Sequence, residues 1–326
     1  MLTGLDRELD RYAWAERLAN RSERPQVRLE GVRMALAAMR ERRAAPARLT
    51  PMLTGLLRDD SSEVRSAALH TLAASLTASR LAADELAGLL DDPEFGAVAA
   101  TALGSVGDHR AVPHLVRLML SNSDEPRLAE AFKAVARTGA DAQVPVAAAR
   151  QILAVLPDSC TPDLPMRVLA AFGPAAAAAV PELIDRLEGA ENDTPDWAIH
   201  VLGQIGPAAA AAAALLRRYP TQCATLALLS VTSDRAVADQ YLAGRPEQPG
   251  RRDQIAPAVL TWLAEHNGLR VFAAMGSHAR PVLDRLDRFV ASRHRVGMNI
   301  GDFDAEMRAD ERLHAAAIAT RRMIAE

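Results

Sequence analysis

One lysine, Lys133, stands beside 37 arginines among the 38 Lys and Arg of the chain, and there are only two cysteines, Cys160 and Cys223. Cysteines so few and so far apart exclude a disulfide framework and the paired spacing of a zinc ribbon, and they suit a reducing compartment. The single lysine excludes a phosphate loop, which needs G-x-x-x-x-G-K-[ST]. G-x-G-x-x-G after a strand, G-x-S-x-G and H-E-x-x-H are missing as well. Aromatic residues make up 4% while hydrophobic residues reach 49%, so burial must come from many Ala, Leu, Val and Ile contacts, which suits closely packed helices. A net charge of -3 gives no overall drive toward nucleic acid or acidic membranes. Acids occupy residues 1–10, where a signal peptide would need a basic and then an apolar run, and no stretch approaches 18 apolar residues without charge. These absences predict a soluble, untargeted, cytoplasmic protein. Scarce lysine together with alanine runs at 175–179 and 208–214 is what codon bias in a GC-rich genome produces. Charge is uneven along the chain: residues 1–50 carry 11 Arg against 7 acids, 151–200 carry 8 acids against 2 Arg, and 251–300 are again basic.

What the chain does have is a period. Gly107, Gly139, Gly173, Gly206 and Gly276 each follow a short apolar run, with separations of 32, 34, 33 and 70 residues, the last being two periods of 35. Self-similarity at this spacing marks a repeat protein, in which one supersecondary unit stacks on the next. Aligned on the glycine, the fourth residue before it is Leu103, Val135, Leu169, Leu202 and Phe272, and the fifth is Ala102, Ala134, Val168, Val201 and Val271. The seventh is Ala100, Phe132, Met166, Ile199 and Leu269, and the last is Val106, Thr138, Phe172, Ile205 and Met275. Offsets of one, four, five, seven and eight form a broad apolar stripe of helical period. The third residue before the glycine is always small (Gly104, Ala136, Ala170, Gly203, Ala273), which marks where a neighbouring helix comes close.

Glycine then ends the helix, because the residue just past a helix end often needs positive φ. About six residues later a proline recurs (Pro113, Pro145, Pro181, Pro281), as tolerated in a first helical turn. The unit reads helix, tight turn, helix, with second helices over Val112–Leu120, 144–156, 180–187 and 281–291. Residues 64–72 and 27–36 look like earlier copies without the glycine, and 224–242 is a degenerate copy followed by a loop or insertion at 245–253. Amphipathic helices at 5–18 and 303–324 are expected as caps. The expected organisation is one domain over 1–326: an N-terminal cap within 1–24, repeats over 25–291, degenerate with an insertion around 224–253, and a linker with a C-terminal cap over 292–326.

The strings "LLRDDSSEVRSAALHTLA" (56–73) and "VLAAFGPAAAAAVPELIDRL" (168–187) resemble HEAT repeats, in particular the HEAT-like repeats shared with phycobilisome lyases. The resemblance implies an all-α fold, a right-handed α-solenoid of about 7–8 helix-turn-helix repeats with helical caps, used in most members to hold another macromolecule. Arg28, Arg65 and Arg127, near starts of first helices after acidic turns, resemble the structural Asp-x-x-x-x-Arg ladder of that family and are set apart from any binding role.

Chemistry is scarce. The His-Glu pairs of HEAT-like di-iron hydroxylases are missing, and His109 and His114, five apart around a turn, are poorly placed for one metal, so no metal or other cofactor is expected. Asp302, Asp304 and Glu306 mimic the opening of a calcium loop, but Met307 stands where that loop needs glycine and Leu313 where it needs Glu. An acidic first turn on a helix accounts for the same residues through the helix dipole. HEAT-like alkylpurine DNA glycosylases offer an enzymatic comparison, with Trp197 beside Asp196 or Trp262 near Glu265 in the catalytic parts. Trp197 falls in the core column of Val98 and Leu164, however, and duplex binding needs many phosphate contacts.

The most useful inference concerns a face. Residues six and two before the glycine are four apart and lie opposite the apolar stripe, so they share one solvent side of successive first helices. They are Thr101, Lys133, Arg167, His200 and Arg270, then Ser105, Arg137, Ala171, Gln204 and Ala274, without one acid. This is either a neutral-to-basic strip running along several repeats or a chance sampling of a solvated face. The expectation is a non-enzymatic scaffold or adaptor that binds a protein or peptide, including an acidic one, through Thr101, Lys133, Arg137, Arg167, His200, Gln204 and Arg270. The alternative is a nucleic-acid-binding HEAT-like protein such as a base-excision enzyme.

Overall fold

The computed structural model describes residues 4–21, 24–121, 127–155, 163–189, 196–219, 221–232, 280–295 and 303–325. Among them the fold is all-α; the one β feature is an isolated bridge between Arg42 and His294. The helices are α1 (Gly4–Arg21), α2 (Pro25–Glu41), α3 (Ala45–Leu56), α4 (Ser62–Ala74), α5 (Leu76–Leu81) and α6 (Ala83–Ala87). Then come α7 (Gly96–Ser105), α8 (Val112–Leu120), α9 (Leu128–Arg137), α10 (Gln143–Val155), α11 (Asp163–Phe172), α12 (Val180–Glu188), α13 (Asp196–Ile205), α14 (Ala213–Leu216) and α15 (Gln222–Thr232). The last two are α16 (Arg280–Ala291) and α17 (Phe303–Ala325). The chain forms two compact units, one of Met1–Leu86 with Gly250–Glu326, the other of Ala87–Pro249.

In the Ala87–Pro249 unit the expected grammar holds. First helices α7, α9, α11 and α13 pack each on the next, with α15 against α13, and second helices α8, α10, α12 and α14 form a companion row. The apolar columns are the reason. Leu103, Val135, Leu169 and Leu202 are fully buried, and Ala102, Ala134, Val168 and Val201 nearly so. Each fully buried Leu or Val contributes about 1.5–3 kcal/mol, so a column repeated four times holds neighbours together without large rings. The column next to the glycine is less uniform: Phe172 and Ile205 are buried but Thr138 is exposed, and its hydroxyl donates across the repeat to Gly107 O at 3.0 Å.

Gly107, Gly139, Gly173 and Gly206 all have positive φ, +82°, +80°, +51° and +70°, the conformation that only glycine adopts without strain. After Gly173 and Gly206 the strings GPAAAAA form 3-10 turns that lead directly into α12 and α14. The small column has its expected cause. A Cβ at Gly104 would lie 2.7 Å from Ala131 Cβ, and one at Gly203 would lie 3.0 Å from Ala227 Cα. By length and composition, Asp163–Glu188 and Asp196–Leu216 are apolar enough to cross a membrane, which corrects the sequence expectation: residues 197–216 carry no Asp, Glu, Lys or Arg. Each is interrupted by a positive-φ glycine, and 44% and 50% of their apolar windows are buried within the fold.

The unit containing both ends of the chain is built differently. α1 lies on α2 and α3, α2 on α4, and α3 on α4 and α5. Gly31 lets α1 and α2 cross closely: a Cβ there would stand 2.7 Å from Ala19 N. Arg28 reaches from α2 to Asp59 at 2.7 Å, both side chains almost buried, and Arg65 donates to Asp59 O. Burial pushes the Asp59 carboxyl up, but hydrogen bonds from Arg28 and the Ser61 amide, with the Arg28 and Arg65 charges, outweigh it and hold the group below its ordinary value. Arg28 and Arg65 are thus engaged within the fold.

α17 does more than cover the last repeat helix. It packs on α16 around buried Leu286, Leu313 and Ala317, and it also lies against α2, α4 and α5. The second contact includes a buried ionic network, beside Met307 and Ala309, which are buried outside the hairpin's own cluster. Arg43 forks onto both oxygens of the fully buried Asp310 at 2.7 and 3.0 Å and donates to Phe289 O and Ser292 O. Arg295 binds Asp310 at 3.2 Å and Glu311 at 3.0 Å while donating to Met39 O. Glu311 in turn accepts from the Ser75 hydroxyl at 2.7 Å and from the Thr77 amide.

Candidate binding face

The strip proposed from the repeat columns lies on the first-helix row, and the structure treats its members unequally. Lys133 and Arg137 on α9, Arg167 on α11, and His200 and Gln204 on α13 are all exposed. α9 packs on α11 and α11 on α13, so these five side chains belong to three successive helices. Helices in contact stand about 8–10 Å apart, which gives the three a span of roughly 20 Å.

Thr101 does not belong to this face. It is fully buried, with its hydroxyl donating to Ala97 O and Val98 O within its own helix, and Ser105 beside it is nearly buried too. The reason is visible in α7 itself. Gly96–Ser105 carries no charged residue and is buried on most of its circumference, as expected of a helix apolar all round. Arg270 lies outside the described residues. The face therefore begins at α9.

Its electrostatics are simple. Among the described residues Lys133 has no ion-pair partner, Arg137 donates only to Lys133 O, and Arg167 pairs with Asp163 one turn earlier on its own helix at 2.9 Å, both exposed. Among the described residues no bond ties these cations to a neighbouring repeat. Exposed Asp163 and Asp196 sit one turn toward the helix N-termini, so the face has an acidic edge and a basic middle. The companion row behaves otherwise. Arg150 pairs with Glu182 of the next repeat, Arg186 donates to Leu153 O and Tyr219 to Leu187 O. Its exposed charges, Arg117, Asp185, Glu188 and Arg217, are of both signs.

Other candidates have structural occupations. His109 bonds Thr138 at 3.0 Å, and His114 faces Asp91 at 4.0 Å, so the two histidines attend to different neighbours. Among the described residues no group of three or more His, Cys, Asp or Glu is placed to hold a metal ion. Asp304 and Glu306 stand in the first turn of α17, and Asp304 pairs with Arg40 at 2.8 Å. Asp302, Trp262 and Glu265 lie outside the described residues. Trp197 is half-buried in α13. The Cys223 thiol is pushed up by burial and by the Asp196 charge, and it donates to Asp196 O; a protonated thiol is a poor nucleophile.

No protein-family model matches this chain, and no curated protein matches it. Among solved structures, the crystal structure of an engineered protein is similar with a TM-score of 0.48 and 18% identity, over 96% of this chain and 89% of the other.

Proposed function

We propose that the repeats of the Ala87–Pro249 unit form a HEAT-type α-solenoid whose first-helix face docks an acidic protein or peptide, and that the chain is a non-enzymatic cytoplasmic adaptor. The observation that carries this reading is the state of the cations on α9, α11 and α13. Lys133 and Arg137 on α9 and Arg167 on α11 are exposed and, among the described residues, have no bond to another repeat, and His200 and Gln204 continue the row. Charges that only stabilised the stack would be engaged between repeats, as Arg150 and Glu182 are. A span of roughly 20 Å matches about six residues of extended chain, so the ligand needs only a short acidic segment.

Exposed ion pairs contribute about 0.2–1 kcal/mol each, and reversing three charges turns attraction into repulsion. The expected loss is about 2 kcal/mol, or roughly thirtyfold in Kd. A fluorescein-labelled peptide of six glutamates tests this by anisotropy against the wild-type chain and the Lys133→Glu, Arg137→Glu, Arg167→Glu variant. Saturable binding that weakens with salt and is lost in the variant supports the reading. Equal binding to both proteins overturns it. A duplex DNA probe in the same titration decides the alternative: binding that falls steeply with salt would replace a peptide ligand by nucleic acid.

A further inference from the structure

The α16–α17 hairpin has its own apolar centre, and it bonds the N-terminal segment through charged and polar side chains, with Met307 and Ala309 of α17 buried outside that centre. Inside the hairpin, Leu286, Leu313 and Ala317 are buried and Leu283, Phe289, Val290 and Ala316 surround them. At the joint, carboxylates on α17 meet donors on the other side. Asp304 receives Arg40 through Nε and Nη2 at 3.0 and 2.8 Å. Asp310 receives the fork of Arg43, and Arg295, which follows α16 in the hairpin itself, also binds Asp310 and Glu311. Glu311 receives the Ser75 hydroxyl and the Thr77 amide. Asp304 and Glu311 are two turns apart on one face of α17, about 10 Å along its axis. Two rings lie under the guanidinium groups: Phe303 5.5 Å from Arg40 and Phe289 4.7 Å from Arg43. A cleft of about 360 Å³ runs beside the joint, lined by Arg40, His294, Arg295, Phe303 and Met307 among others, so solvent reaches its edge.

The ionic part of the joint is what a second helix could reproduce. Apolar packing depends on the shape of one partner, whereas forked guanidinium–carboxylate bonds are satisfied by any carboxylate in the right place. Leaving the donors empty would strand buried charge, at a large cost. Handing them to another carboxylate helix would not.

We propose that α2, the turn that follows it and the N-terminus of α5 form a receptor for a helix with carboxylates at positions i, i+6 and i+7, that α17 fills it as the chain's own ligand, and that a rival helix of this pattern displaces the hairpin as a unit. The proposal does not depend on the α9–α13 face. The test uses the full chain and a labelled synthetic peptide of residues 303–325. A full-length Asp310→Asn, Glu311→Gln variant has a weakened internal ligand and should bind the peptide at least tenfold more tightly than the wild type does. A peptide carrying Asp304→Asn, Asp310→Asn and Glu311→Gln should not bind. Equal affinity for the two peptides, or no gain in a variant whose helical content is intact, overturns the proposal. Should the variant fail to fold, hydrogen exchange on the wild-type chain decides. Excess wild-type peptide should speed exchange of the Arg43 and Arg295 amides, which bond Arg293 O and Glu41 O, and leave α9 and α11 unchanged. Unaltered exchange at those two amides overturns it equally.

Discussion

Replacing Gly107 and Gly139 by alanine separates two effects that the repeat pattern superimposes. Both residues end first helices with nearly the same backbone, φ +82° and +80°, so both alanines incur the left-handed penalty of about 1–2 kcal/mol. Their surroundings differ. Nothing lies within 4 Å of a Cβ at Gly139, whereas one at Gly107 would stand 2.5 Å from Thr138 Cγ2. Thr138 cannot simply turn away, because its hydroxyl bonds Gly107 O, Val135 O and His109 Nε2. Forcing a methyl into such a contact costs about 1–3 kcal/mol more. Gly107→Ala should therefore destabilise by about 2–5 kcal/mol and Gly139→Ala by about 1–2, measured as the shift in urea unfolding midpoint at constant slope. Thr138→Ser removes Cγ2 and keeps the hydroxyl. In that background the cost of Gly107→Ala should fall toward that of Gly139→Ala, the retained hydroxyl oxygen still standing 3.2 Å from the new Cβ. Equal costs for the two glycines, or no relief from Thr138→Ser, would refute the argument that the turn of one repeat packs on the side chain of the next.

Three further outcomes follow from other contacts. Gly203→Ala places Cβ 3.0 Å from Ala227 Cα and should destabilise by about 1–3 kcal/mol. Gly55→Ala, in open space within α3, should stabilise by about 0.5–1 kcal/mol; thermal melts of both variants check the opposite signs. Because the Asp59 carboxyl is held below its ordinary value, its contribution is present above the unfolded carboxylate range near about 4 and is lost as pH falls through the depressed value. The stability gap between wild type and Asp59→Asn should be constant from pH 7 to about 4 and close below it; a gap that persists in stronger acid counts against the Arg28–Asp59 link.

How far the fold was legible depends on the range of the contacts involved. Leu103, Val135, Leu169 and Leu202 are buried where the columns put them, because a stripe of helical period reports a local geometry that every repeat restates. α8, α10 and α12 begin within a residue of their expected starts, since proline and the preceding glycine act on the backbone itself. Thr101 is buried and not on the solvent face because α7, unlike the other first helices, is not amphipathic. The uncharged run 96–105 carried the warning, because a helix with no polar face has no solvent side to offer. The role of α17 was beyond reach for a different reason. Glu311 meets Ser75 across 236 residues of chain, and in the sequence its carboxylate is indistinguishable from one on a solvated helix. The acids at 304 and 306 read as a dipole-complementing first turn, which they are; that Asp304 also accepts from Arg40 depends on which helices meet.

Photo-crosslinking from single positions on the two helix rows tests the central claim, that partners dock on the face of α9, α11 and α13. A benzophenone side chain would replace Lys133, Arg167 or His200 on the first row, or Arg117, Asp185 or Arg217 on the second, in cells making the full chain. The account predicts that positions 133, 167 and 200 capture one common partner, that the captured peptide is rich in Asp and Glu, and that 117, 185 and 217 do not capture it. Capture confined to the second row, or equal from both rows, would contradict it.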